Sequence, residues 1–134
     1  MQNESYYRGM FKIGAVWNFG AGLLFMLARN PLFDFLGMAP LHYTTFYNAF
    51  CMAVLLFGAG YYWVGIDLTQ NRAIVVLGAI GKVLVFALFV LGWRQGELPF
   101  LLIPVGTVDL VFAGLFVEFL RRSKESHARM AGAR

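Results

Sequence analysis

Residues 73–94 read AIVVLGAIGKVLVFALFVLGWR and residues 98–120 read LPFLLIPVGTVDLVFAGLFVEFL, with the polar tripeptide QGE between them. A bilayer core of ~30 Å needs about 20 helical residues to cross it, so each stretch is long enough to span. Two further apolar stretches, Ile13–Arg29 and Thr44–Ile66, also qualify. The sequence therefore predicts an all-α fold: an integral membrane antiparallel four-helix transmembrane bundle. It forms a single membrane domain over residues 1–134, ending in a basic tail at 121–134.

The composition favours a membrane protein over a soluble one. Hydrophobic residues make up 60% of the chain and charged residues 13%, about half of the ~25% typical of soluble domains. The net charge of +4 lies in the tails and turns beside the apolar stretches, not along one face. That placement indicates membrane orientation, so we expect the lipid bilayer, and no nucleic acid, as the partner.

The first connection is longer than the other two and carries helix signals of its own. Asn30 and Pro31 suit the N-cap and first position of a helix, and Gly37 suits its C-terminal end. Apolar side chains surround Asp34 between them. We therefore predict a short helix over Pro31–Leu36 that lies in the membrane interface between spans 1 and 2.

Basic residues are distributed unequally between the two sides of the predicted bundle. The first and third connections hold Arg29 and Arg94. The tails and the second connection hold eight: Arg8, Lys12, Arg72, Arg121, Arg122, Lys124, Arg129 and Arg134. Because cytoplasmic segments are enriched in Lys and Arg, we expect both termini in the cytoplasm. Tyr61, Tyr62 and Trp63 then fall near the inner interface, in an aromatic belt.

Each predicted span carries a polar residue at depth, and two of these residues are ionisable. Lys82 is the tenth residue of the third span and Asp109 the twelfth of the fourth, so both lie near the bilayer midplane. Alone in lipid, each charge costs about 2.5–3.5 kcal/mol on a lenient insertion scale. We therefore expect Lys82 and Asp109 to meet, and Asn18 and Asn48 to turn inward on their own helices.

These buried polar residues have two interpretations. Small residues surround them, and around Asn18 all four helical neighbours are small: Gly14, Ala15, Ala21 and Gly22. Small residues let helices approach closely, so the polar side chains then bond across the contact and fix the helix register. Alternatively, Lys82, Asp109, Asn18 and Asn48 form a ligand-binding or proton-relay site, because ionisable groups within spans are commonly functional.

Pro104 precedes Asp109 by five residues in the fourth predicted span. Proline lacks the N–H that would bond the carbonyl of Phe100, so a kink is predicted at this point. A carbonyl left free beside a buried carboxylate could mark a cation or proton site, or a neighbouring hydroxyl could fill the bend.

The chemistry that most membrane enzymes need is missing from the sequence. His42 and His127 lie outside the spans, so axial ligands for an intramembrane haem are lacking. No metal-ligand cluster, phosphate-binding glycine loop or serine–histidine pairing is evident. The single cysteine, Cys51, cannot form an intrachain disulfide and suits a buried apolar position. We predict no catalytic residue, metal or obligate cofactor, which argues against an enzyme.

The stretch LLFGAG, Leu55–Gly60, lies in the second span and is followed by a basic turn at Asn71 and Arg72. With four short spans and tight turns, the chain resembles the small DoxX-like proteins of the bacterial inner membrane over roughly residues 10–120. The resemblance implies a four-helix fold and an inner (plasma) membrane location. Some members of that family are associated with quinone-linked sulfur oxidation, but the resemblance carries over no site residue.

Three functions follow from these features. The first, which we prefer on size and lack of chemistry, is a small non-enzymatic multi-pass protein. It would be a homo-oligomer or an accessory subunit of a larger membrane redox or transport complex. The second is a small proton-coupled transporter that uses Lys82 and Asp109. The third is a lipid- or quinone-binding protein whose cavity is lined by Asn18, Asn48 and aromatic residues.

Overall fold

The structure, a computed structural model, describes residues 3–133 and folds them into five helices. These are α1 (Glu4–Leu27), α2 (Arg29–Leu36), α3 (Thr44–Ile66), α4 (Arg72–Arg94) and α5 (Leu102–Gly132). No strand occurs among residues 3–133. Arg134, counted above with the basic tail, lies outside the described residues, as do Met1 and Gln2.

Four of these helices, α1, α3, α4 and α5, are long and apolar enough to cross a membrane. At 1.5 Å per residue, the 23 residues of α3 or of α4 extend about 34 Å, which exceeds the ~30 Å bilayer core. Their outer faces expose large apolar side chains such as Leu84, Leu88 and Val111. Lipid is a solvent that suits these faces. The prediction of an all-helical fold with four helices able to span a membrane is confirmed.

The helix bounds match the predicted spans in the middle of the chain and differ at its two ends. α3 covers the predicted Thr44–Ile66, and α4 begins one residue early at Arg72. α1 begins at Glu4 rather than Ile13, and α5 continues through most of the predicted tail to Gly132. Hydropathy marks only the lipid-crossing part of a helix, whereas Glu, Lys, Arg and Ala extend the helix beyond it.

The short helix α2 exists, but its predicted N-terminal cap is wrong. The helix begins at Arg29, and Ala28 occupies the cap position without a side-chain hydrogen bond. Pro31 lies in the first turn, where the missing N–H of a proline has no intrahelical partner to lose. The C-terminal prediction is confirmed, because Gly37 adopts a left-handed φ of 69° and donates its N–H to the Asp34 carbonyl.

The kink predicted at Pro104 is also wrong. α5 begins at Leu102, so Pro104 lies in its first turn, where no i−4 hydrogen bond is lost. The Phe100 carbonyl is not free either, because it accepts the Ile103 N–H at 2.9 Å. This stretch therefore starts a helix and supplies no open carbonyl next to Asp109.

Helix α1 packs along α3 and α4 packs along α5, while α3 and α4 touch over a shorter stretch. An aromatic cluster, formed by Tyr7, Phe11, Tyr61, Phe116 and Phe119, joins α1, α3 and α5 at one end of the bundle. Its rings meet at centroid distances of 4.9–5.2 Å, and each side chain is at most 1% exposed. Such aromatic pairs add about 0.5–1.5 kcal/mol each beyond the burial of their area.

Two arginines hold helix ends at the same end of the bundle as the aromatic cluster. Arg8 of α1 donates to the carbonyls of Gly65 and Ile66, which close α3. Arg72, the first residue of α4, donates to the Leu120 carbonyl at 3.2 Å and to the Ser123 hydroxyl. The Arg8 contact satisfies carbonyls that a helix C-terminus leaves without intrahelical partners.

The α3–α4 connection is held by one carboxylate outside the spans. Asp67 Oδ1 accepts the Thr69 hydroxyl at 2.6 Å and the Thr69 N–H at 2.9 Å. These hydrogen bonds hold the pKa of the Asp67 carboxyl below its ordinary value. The turn then ends at Asn71, which adopts a left-handed φ of 62° directly before α4.

The substitution Gly78→Ala is expected to lower the melting temperature of the protein. An added Cβ would lie 2.6 Å from Tyr61 Oη and 2.7 Å from Tyr61 Cε1, so the buried Tyr61 ring would have to leave its place against Phe116. Overpacking of this kind costs about 1–3 kcal/mol. The measurement is a thermal scan in mild detergent with a thiol-reactive fluorophore, which labels the single, buried Cys51 as the protein unfolds.

The matched control is Gly114→Ala, on an exposed face of α5 where an added Cβ meets nothing within 4 Å. This change gains helix propensity of up to about 1 kcal/mol without a clash, so its melting temperature should hold or rise. A Gly78→Ala protein that melts at or above this control would contradict the close packing of α4 on Tyr61.

Candidate functional site

The structure brings Lys82 of α4 and Asp109 of α5 together inside the bundle. Lys82 Nζ lies 2.5 Å from Asp109 Oδ1, and the two side chains are 6% and 18% exposed. Lys82 is the eleventh of the 23 residues of α4, so the contact lies about halfway along that helix. At this separation the mutual attraction offsets much of the desolvation that each charge suffers in the interior.

Asn18 joins this pair from α1 and connects it to α3. Its Oδ1 accepts a hydrogen bond from Lys82 Nζ at 3.0 Å, and its Nδ2 donates to the Val54 carbonyl at 3.1 Å. The approach is close because Gly58 of α3 has no side chain, and a Cβ there would lie 3.2 Å from Asn18 Cβ. Three helices thus meet at one buried amide.

Trp17 completes the polar group, and the sequence reasoning did not identify it. Its indole N–H donates to Asp109 Oδ1 at 3.2 Å, the same oxygen that Lys82 contacts. Tryptophans of membrane proteins are enriched at the interfaces, and a buried indole needs an acceptor for its N–H. A tryptophan next to Asn18, within a predicted span, is the sequence signal that could have identified this contact.

Two aromatic rings lie against the Lys82 ammonium. Nζ is 5.4 Å from the ring centroid of Tyr61 and 5.4 Å from that of Phe112. Both distances are within the range of a cation–π attraction. Tyr61, grouped by its position with the interfacial aromatic belt, is 1% exposed and faces the interior, whereas its neighbours Tyr62 and Trp63 are exposed.

The structure does not bring Asn48 to this group. Asn48 is the fifth residue of α3, about one turn from its start, and it does not line the cavity described below. Its Oδ1 is buried and accepts no hydrogen bond from the described residues. The expectation that Asn48 shares one site with Lys82 and Asp109 is therefore not met, because it lies near a helix end and not at mid-helix.

A cavity of about 200 Å³ lies directly on the Lys82–Asp109 pair. All four long helices contribute to its wall, which is mostly apolar and includes Phe25, Phe50, Phe57 and Phe89. Of the described residues that line it, the charged ones are Lys82 and Asp109, and Trp17 and Asn18 lie beside them. We call these four residues the polar floor of the cavity.

The cavity is open on one side and closed on another. Phe50 and Phe57, which line it from α3, are 49% and 36% exposed and lie on the outer surface of the bundle. The exposure of these two rings indicates that the cavity reaches the surface beside α3. Tyr61 lines the opposite end and packs on Phe116 at 4.9 Å, so the aromatic cluster closes that end.

Within residues 3–133 no group of three or more His, Cys, Asp or Glu side chains could hold a metal ion. Cys51 is buried in the cavity wall, as the sequence suggested for an apolar position. Asp34 and His42 are exposed. The polar floor offers hydrogen bonds and one compensated pair of charges, which suits binding of a small polar group.

Removing one partner of the Lys82–Asp109 pair is expected to destabilise the protein more than removing both. Asp109→Asn leaves a buried ammonium without a counter-charge, which should lower the free energy of unfolding by about 3–5 kcal/mol. The second single substitution is Lys82→Met, and the double substitution Lys82→Met with Asp109→Asn removes both charges and should recover most of the lost stability. The melting temperatures of the singles and the double, compared as a cycle, measure the coupling.

Glu118→Gln is the matched control for the charge change. Glu118 also pairs with a basic residue, Arg122, at 3.0 Å, but both side chains are at least 40% exposed. An exposed pair contributes about 0–1 kcal/mol, so this substitution should change the melting temperature little. If the changes in melting temperature of the Lys82 and Asp109 single variants add up to the change in the double variant, the two residues are not coupled.

No family model, no curated protein and no solved structure matches this chain. The resemblance to DoxX-like membrane proteins therefore stays a prediction. The site is characterised by its own geometry: an apolar cavity that reaches the surface at Phe50 and Phe57 and ends on Lys82, Asp109, Asn18 and Trp17.

Proposed function

We propose that this chain is a non-enzymatic integral membrane protein that binds a lipophilic molecule, a lipid or a quinone, in the cavity above Lys82 and Asp109. The observation that carries the proposal is an apolar, aromatic-lined cavity that ends on a few convergent polar groups. Ligand sites commonly combine such walls, which bury the body of the ligand, with a few placed polar groups that fix its orientation.

The dimensions and position of the cavity support a ligand that comes from the bilayer. A volume of about 200 Å³ holds a ring or a short length of chain, so the rest of a long ligand would extend outward past Phe50 and Phe57. Exposed apolar side chains flank this opening on the outer surface of the bundle. A lipophile dissolved in the membrane can enter there without passing through water.

The proposed arrangement is an antiparallel bundle, and contacts near the helix ends support it. The aromatic cluster joins Tyr7 and Phe11, early in α1, to Phe116 and Phe119, late in the lipid-crossing part of α5. Arg8 of α1 bonds the closing carbonyls of α3. These contacts suit helices that alternate in direction and are joined by short turns.

We further propose a bacterial-type inner membrane location with both tails in the cytoplasm and α2 in the opposite interface. The excess of Lys and Arg in the tails and in the α3–α4 connection supports this orientation. α2 suits an interface because Phe33 packs on Tyr47 at 5.6 Å, while Asp34 and Phe35 stay exposed. One face is then anchored and the other is free to meet head groups.

Two other roles stay open as proposals. A homo-oligomer or an accessory subunit of a redox or transport complex is compatible with a bound lipophile, because the cavity uses only part of the surface. A proton-coupled transporter needs a path from the polar floor to both sides of the membrane. The aromatic cluster fills the bundle beyond Tyr61 with rings that are at most 1% exposed, and this favours binding over transport.

The protein purified in mild detergent is expected to retain a lipophile that is enriched over the bulk membrane extract. Gly81→Leu should reduce this retention about tenfold or more. Gly81 lines the cavity, and a Cβ there meets nothing within 4 Å, so the leucine side chain is free to occupy the ligand volume. The measurement is quantitative mass spectrometry of lipids and quinones extracted per mole of protein.

Gly114→Leu, on the exposed face of α5, is the matched control and should retain the ligand. Both substitutions add the same side chain to a helical glycine, so a general effect of leucine would appear in both. A wild-type protein with no lipophile enriched above the bulk extract would refute the proposal. So would equal retention by the Gly81→Leu protein.

A further inference from the structure

We infer that the group bound at the polar floor is uncharged and carries a hydroxyl or carbonyl oxygen, so that the site selects neutral lipophiles over ionic lipids. The inference rests on the proposed binding function and names the chemical class of its ligand. Three independent observations carry it: the charge balance of the cavity, the unused hydrogen-bonding capacity of Lys82 and Asp109, and the depth of the site.

The charges that line the cavity cancel. Lys82 and Asp109 are the charged members among the described lining residues, and they contact one another at 2.5 Å. An ionic head group in an apolar cavity needs a counter-charge of its own, and here each charge already has a partner. An uncharged oxygen group needs only a donor or an acceptor.

Lys82 and Asp109 both retain hydrogen-bonding groups that could bind such an oxygen. An ammonium has three N–H groups, and Lys82 Nζ uses two of them, one on Asp109 and one on Asn18. Both hydrogen bonds that Asp109 accepts from side chains of residues 3–133 fall on Oδ1, from Lys82 and from Trp17, which leaves the lone pairs of Oδ2. A hydroxyl could donate to Oδ2 and accept from Nζ, and a carbonyl could accept from Nζ.

The depth of the site in the bundle also favours an uncharged group over an ionic one. Lys82 lies about halfway along α4, so the polar floor is about half a membrane thickness from either interface. An ionic head group stays at the interface, because its transfer to the hydrocarbon centre is strongly unfavourable. A lipophile with a neutral oxygen group reaches that depth freely and can enter past Phe50 and Phe57.

The test uses the full-length protein with Trp17 as its fluorescent reporter. Trp63→Phe and Trp93→Phe remove the other two tryptophans, both exposed, and leave the indole of the polar floor. The protein is reconstituted in phosphatidylcholine vesicles and titrated with three mid-chain brominated octadecyl probes that quench tryptophan. One probe is the alcohol, one the sulfonate and one the trimethylammonium.

The alcohol is expected to quench Trp17 with an apparent Kd about tenfold or more below that of either ionic probe. Equal quenching by all three, or stronger quenching by an ionic probe, overturns the inference and leaves the proposed binding function standing. If no probe quenches Trp17 more than the same probe quenches the Gly81→Leu protein, both the inference and the binding function fail.

Charge variants provide the second readout. Asp109→Asn leaves the floor with one positive charge and should shift the preference toward the sulfonate. Lys82→Met leaves one negative charge and should shift it toward the trimethylammonium probe. The double substitution Lys82→Met with Asp109→Asn is neutral again and should restore the preference for the alcohol.

The double variant keeps the test decisive if either single substitution fails to fold, since it buries no unpaired charge. A pair with a merely structural role would weaken binding of all three probes alike. If the charge variants bind all three probes more weakly but keep the same order of affinity, the inference is overturned.

Discussion

The contact between Lys82 and Asp109 is the constraint on which the rest of the interior depends. A charge in the middle of a bilayer-spanning helix is tolerated only if another group compensates it, and here the two charges compensate each other at 2.5 Å. Asn18 extends the contact to α1 and, through the Val54 carbonyl, to α3. Trp17 adds a hydrogen bond that joins α1 directly to α5. A rotation of any one long helix would break at least one of these bonds, so the pair fixes which face each helix turns inward.

The polar floor also divides the bundle into two parts with different packing. On one side, the rings of Tyr61, Phe116 and Phe119 fill the space between helices and exclude a ligand. On the other side lies the cavity, and two of the phenylalanines that line it, Phe50 and Phe57, reach the surface. Glycines serve both parts: Gly78 lets α4 lie against Tyr61, and Gly81, one turn later, leaves its share of the cavity empty. The bundle is therefore closely packed where Gly78 faces the Tyr61 ring, and it holds a cavity where Gly81 faces no neighbouring side chain.

Hydropathy and residue counting were sufficient to predict the four spans and the meeting of Lys82 with Asp109. The spans follow from the lengths of the apolar stretches, and the meeting follows from the depth of each residue along its span. Trp17 and Tyr61 could not be placed in the same way, because their partners depend on the rotation of each helix about its axis. Pro104 was misjudged because the start of α5 is decided by turn hydrogen bonds after Pro99 that hydropathy does not report. Asn48 was grouped with the others by residue type, although it lies near the start of α3.

The separation of 27 residues between Lys82 and Asp109 also bears on how the chain is made. At about 5–20 residues per second, the ribosome adds the aspartate roughly 1–5 s after the lysine. During that interval α4 has no counter-charge from α5, but Asn18 and its helix have already been synthesised and offer Lys82 one acceptor. Because α1 precedes α4 in the chain, Asn18 can accept a hydrogen bond from Lys82 before Asp109 is synthesised. Lateral release of α4 into lipid before α5 emerges would expose that lysine, so α4 and α5 are best inserted together.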